Sequence, residues 1–149
     1  MLAAIQSFIE SAIHPQSISP EERERGLRLA AAALLVEVSA ADYSRDPAER
    51  TAIAEALRTT FDLEEKELQQ LLDDAERRQK DATSLYEFTS VINDRCSHEE
   101  KYGILINLWR VAFADGKLDK YEDQRIRRIA DLLYLSHSDF IRAKLQVTA

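Results

Sequence analysis

Six carboxylates in two identically spaced groups are the residues of this chain best suited to chemistry. Asp115, Asp119 and Glu122 stand in Ala114-Asp115-Gly116-Lys117-Leu118-Asp119-Lys120-Tyr121-Glu122, and Asp42, Asp46 and Glu49 stand in Ala41-Asp42-Tyr43-Ser44-Arg45-Asp46-Pro47-Ala48-Glu49. Both read A-D-x-x-x-D-x-x-E, 73 positions apart, and the apolar register holds around them: Leu35 matches Leu108, Val38 matches Val111 and Ile53 matches Ile126. Oxygen-only donor sets select Ca²⁺, Mg²⁺ or Mn²⁺ over Zn²⁺. Carboxylates held close together repel unless a cation or a proton intervenes. The spacing therefore points to divalent-cation binding. It is not an EF-hand, because the twelfth residue from Asp115 is Ile126 where that loop needs a bidentate Glu.

Four of the six acids also have a purely structural use. Asp46 and Asp119 suit helix N-caps, and Glu49 and Glu122 stand three residues later, where a capping box places its acid. Each cap contributes about 1 kcal/mol without any ligand. Asp42 and Asp115 fall instead at the end of the preceding helix, where the dipole disfavours a carboxylate. The cation reading is strongest for these two. Gly116 is suited to terminate a helix with positive φ. The elbows form either one joint site or two separate ones.

The elements that must position these acids read as helices throughout. Leu2, Ile5, Phe8 and Ala12 recur at helical spacing over Leu2–Ile13, followed by a linker at His14–Ser17. Ser19-Pro20 with Glu22 opens a long helix to about Ala41, in which Leu27, Ala31, Leu34, Leu35 and Val38 face inward and Ala30 to Ala33 admit a close neighbour. Asp46 with Glu49 opens a helix from Pro47 to about Phe61, and Asp62 with Glu65 one from Leu63 to about Arg78. Ser84 with Glu87 and Ser97 with Glu100 open two more, the second running to about Ala114 with Ile104, Leu108, Val111 and Ala112 inside. Asp119 with Glu122, and Ser136 with Asp139, open the last two, to Leu133 and about Gln146. No period-2 alternation marks a strand. The expected fold is all-α: seven to eight helices in one domain of two pseudo-symmetric three-helix repeats, with units at about 27–72 and 100–145. Residues 1–19 form an N-terminal helix and linker ahead of the helical domain at 20–149.

Composition narrows the functional classes. A length of 149 residues supports one real core, and the formal charge of −7 argues against nucleic-acid binding. No apolar run approaches the roughly 20 residues that span a bilayer. The apolar N-terminus carries no Lys or Arg before Arg23, so it does not read as a signal peptide, and the expected location is cytoplasmic. Cys96, the one cysteine, forms no internal disulfide. Its neighbour His98 and the nearby helix start suggest a lowered thiol pKa, but no oxyanion hole or Gly-rich loop accompanies them. A glycosidase-like use of paired carboxylates wants aromatic platforms, and aromatics make up only 7%. The expectation is a non-enzyme. His137 reads as a surface group. The charged run Asp73 to Asp81 reads as a solvated helix end, and the basic residues of the last third as a solvated face with pairs such as Asp123–Arg127, or as a surface for an anionic partner.

Around the second elbow, Leu108-Trp109-Arg110-Val111-Ala112-Phe113-Ala114-Asp115-Gly116 resembles the tellurite-resistance protein B (TerB-like) family, as do Arg127-Arg128-Ile129-Ala130-Asp131-Leu132-Leu133 and Ser136 to Lys144. The resemblance runs from about Leu27 to Val147. It implies an all-helical domain of two related halves with an acidic patch for divalent metal, a place in a metal or oxyanion stress response, and protein partners such as a membrane-associated resistance complex. By position its A-D-G-x-x-D-x-x-E motif falls on Asp115, Asp119 and Glu122, while the first half has Tyr43 where the second has Gly116. The alternative is an interaction scaffold whose acids only cap helices.

Overall fold

Ser19 lies in extended backbone and its hydroxyl accepts the Glu22 N–H at 3.2 Å, with Pro20 next; these start the first helix. The computed structural model describes residues 19–41 and 47–148. The expected helix at Leu2–Ile13, its linker, and the acids Asp42 and Asp46 lie outside that range. The described residues form α1 (Pro20–Ala40), α2 (Pro47–Phe61), α3 (Glu65–Asp81), α4 (Tyr86–Arg95), α5 (His98–Ala112), α6 (Lys120–Leu132) and α7 (His137–Thr148), with no strand among them. The domain is all-α.

Helix α1 is the axis. Every position from Ala30 to Val36 is buried, as is Val38. A helix that is apolar all round belongs in the middle of a core. Helices α2, α3, α4, α5 and α6 all pack on it, and α7 completes the fold against α5 and α6. The alanine run provides the close approach that its small side chains suggest. The same core cluster contains Leu57, Leu68, Ile92, Leu105, Leu108 and Ile126, all essentially sealed from solvent. Leu27 and Ile104, expected inside, are only half-buried; Leu105 and Ile106 take the inward positions on α5. Glu37 ties the axis to two neighbours, accepting from Gln79 of α3 at 2.8 Å and facing Arg125 of α6 at 3.5 Å.

Four helix starts follow their capping residues and two do not. Ser97 and Glu100 exchange both bonds of a capping box at the head of α5, and Ser136 and Asp139 do so at the head of α7. Asp62, expected as a cap, instead takes a left-handed φ of 52°. The chain turns there, and α3 starts at Glu65, with the Glu67 carboxylate accepting the Glu64 N–H at 3.4 Å. At the head of α4 the residue in the cap position is Leu85, already helical, rather than Ser84. The end of α6 is a Schellman turn. Tyr134 takes φ 59°, its N–H reaches the Asp131 carbonyl, and the Leu135 N–H reaches the Ala130 carbonyl. The run Asp73–Asp81 is the far end of α3, held by Arg77–Asp74 at 2.6 Å and by Arg78 on Glu87.

Gly103 sits inside α5, where an added Cβ meets nothing within 4 Å. Gly103→Ala should therefore raise unfolding stability by roughly 0.5–1 kcal/mol through helix propensity alone. Urea denaturation measures it, and a lowered midpoint would contradict an open helical position.

Candidate acidic elbows and their surroundings

Helix α5 ends at Ala112 with Phe113 as its cap, two residues earlier than expected, so Asp115 lies in the connecting turn rather than on the last helical turn. Its dipole penalty is correspondingly smaller. Asp115 Oδ1 accepts the Lys117 N–H at 3.0 Å, and Gly116 takes φ 81°, the left-handed geometry expected of it. Leu118 packs back against the core and pins the turn. Asp119 then caps α6, its Oδ2 accepting from the N–H groups of Tyr121 at 3.0 Å and Glu122 at 3.3 Å. Asp115 is exposed and Asp119 half-exposed, but Glu122 is buried, 1% exposed.

The third acid of the first elbow behaves in the same way. Glu49 is 0% exposed, and its Oε2 accepts the Ser39 hydroxyl of α1 at 3.0 Å. A capping-box glutamate ordinarily stays at the surface, so burial at both corresponding positions is what the local pattern did not disclose. A buried carboxylate needs hydrogen bonds, a cation or a proton. Among the described residues no group of three or more Asp, Glu, His or Cys is placed to hold a metal ion. Asp42 and Asp46 fall outside them.

The model of the family described as Tellurite resistance protein TerB matches residues 28–145. The chain belongs to the TerB family. The match takes in both acidic elbows and all of α2 to α6. No curated protein and no solved structure gives a significant match. What is established is thus a tellurite-resistance-like helical domain, with Asp115 in the turn between α5 and α6, Asp119 at the N-cap of α6 and Glu122 in its first turn.

Other groups singled out by type find structural roles in this TerB domain. Cys96 is the C-cap of α4, and burial, reinforced by the Glu100 charge, pushes its thiol up, against the activated thiol that a helix start would favour. His98 turns to Asp139 of α7, Nε2 to Oδ2 at 3.2 Å. His137 stacks on Phe140 with ring centroids 5.7 Å apart. Asp123 pairs with Lys144 at 3.4 Å rather than with Arg127, whose guanidinium lies over the Phe140 ring. No described helix is long and apolar enough to cross a membrane.

Two outcomes follow. Asp119→Ala should cost about 1 kcal/mol even in chelator, since the lost bonds are those of a cap; an unchanged melting temperature would refute the cap. For Asp139, burial raises the carboxyl pKa, but the Ser136 N–H and hydroxyl, then His98 and Arg142, outweigh it and hold the group below the usual carboxylate range. Its stabilisation is therefore complete above the unfolded value of about 3.9 and is lost as pH falls through the lower folded value. Asp139→Asn should lower stability at neutral pH and flatten the acid limb of a stability–pH curve. An unaltered limb would show that the carboxylate contributes nothing.

Proposed function

We propose that this TerB domain is a non-enzymatic, cytoplasmic module that takes up a divalent cation at its acidic elbows as part of a metal or oxyanion stress response. The observation that carries the reading is the division of oxygens at the second elbow. Asp115 uses Oδ1 and Asp119 uses Oδ2 for backbone N–H groups, which leaves Asp115 Oδ2 and Asp119 Oδ1 as acceptors. Backbone N–H groups fix both carboxylates, so little ordering remains to be done when an ion arrives. The donors are all hard oxygens, in keeping with Ca²⁺, Mg²⁺ or Mn²⁺. Asp115 and Asp119 would hold the ion at the second elbow as a pair, with water completing its coordination and the buried Glu122 behind them; the same acids recur at the first elbow as Asp42, Asp46 and Glu49. The bound ion would supply positive charge that offsets the mutual repulsion of these acids.

A second reading is favoured by the same hydrogen bonds. Asp115 closes a turn and Asp119 caps a helix, and both roles suffice for a scaffold that binds protein partners and no ion.

Calorimetric titration of metal-stripped protein with Ca²⁺, Mg²⁺ and Mn²⁺ separates them. The wild type should take up at least one of these at millimolar concentration or below. Asp115→Asn keeps the acceptor for Lys117 but removes a charge, and should weaken uptake by roughly tenfold, since affinity at such sites follows ligand charge. No heat at millimolar cation would eliminate the cation reading and leave the scaffold.

A further inference from the structure

The outward face of α6 is basic on a chain whose formal charge is −7. Lys120, Arg127 and Arg128 are exposed there, Lys117 is exposed in the turn before it, and Asp131 is exposed near the helix end. Asp115 and Asp119 stand beside Lys117 and Lys120 at the head of the helix, so the unoffset charge lies further along, at Arg127 and Arg128, and Asp123 is turned away to Lys144. Two of these lysines flank the start of α6, where the helix dipole disfavours cations, so helix stability does not account for them.

The stripe contains a concavity. Tyr121, Gln124, Arg125 and Arg128, with Ala41 from the end of α1, line a notch of about 430 Å³. A phenol, an amide and two guanidinium groups can all donate hydrogen bonds, and guanidinium matches the two oxygens of a carboxylate. Arg125 leans on Glu37 at 3.5 Å, Lys120 lies over the Tyr121 ring, and Arg128 makes no ion pair among the described residues. Tyr121 itself is 49% exposed.

We infer that the α6 face docks an acidic protein segment, with one Asp or Glu side chain seated in the Tyr121–Gln124–Arg125–Arg128 notch. The inference stands apart from cation uptake. Charge complementarity selects an anionic occupant. A bilayer is disfavoured because Tyr121 is the one large exposed hydrophobic residue of α6 and the chain is net negative. A duplex is disfavoured because the net charge repels phosphates beyond the stripe. From Lys120 to Arg128 the helix rises roughly 12 Å, the length of about four extended residues, so a short acidic run satisfies it.

The test is fluorescence anisotropy of labelled hexaglutamate in EDTA, with hexaglutamine, phosphatidylcholine–phosphatidylserine vesicles and a short DNA duplex as comparisons. Wild type should bind hexaglutamate, and the Lys120→Glu/Arg128→Glu double variant should bind at least about tenfold more weakly. Its melting curve should match the wild type, because both side chains are exposed; if it does not, Arg128→Ala replaces it. Equal binding of hexaglutamine, equal binding by the variant, or a preference for vesicles or DNA that depends on Arg128 would overturn the assignment.

Discussion

The enclosure of α1 is the constraint on which this domain depends. From Ala30 to Val36 no position faces solvent, and five helices share the surface of that one rod. Such crowding is possible only where side chains are small, and the run of four alanines meets that condition. Larger neighbours then fill the outer ring, with Trp109, Leu105, Leu108 and Ile126 among those completely sealed. The buried stretch of α1 runs almost to its end, where Ser39 meets Glu49 of α2.

Local chemistry was the legible part of the chain. Ser19, Ser97, Asp119 and Ser136 cap the helices that their spacing predicts, since a cap is decided within four residues. The misses have local rivals. Asp62 has the residue type of a cap, but a short polar side chain also suits a left-handed turn, and that role prevails. The apolar run Ile104-Leu105-Ile106 leaves the helical phase ambiguous by a step, which is why Ile104 reads as inward although Leu105 and Ile106 are the buried pair.

The burial of Glu49 and Glu122 was not legible, because it arises from tertiary packing and capping logic places such residues at the surface. It also changes how the elbows read. The outer acids, Asp115 and Asp119, are organised by backbone N–H groups, while the inner acid lies within the helix packing. A TerB domain built in this way keeps carboxyl groups at two depths, two at the surface of the turn and one inside the core beside it.

The surroundings of Trp109 carry a practical consequence. It is the one tryptophan of the chain, fully enclosed, with Phe113 and Phe140 rings at 6.0 and 5.1 Å and the Lys144 ammonium 5.4 Å from its ring centroid. Lys144 in turn contacts Asp123 in the first turn of α6. The indole thus lies at the junction of three helices, through a cation whose position depends on a carboxylate next to Glu122. Its emission is a native optical reporter, without any attached dye, of how tightly the closing helix is seated beside the acidic turn.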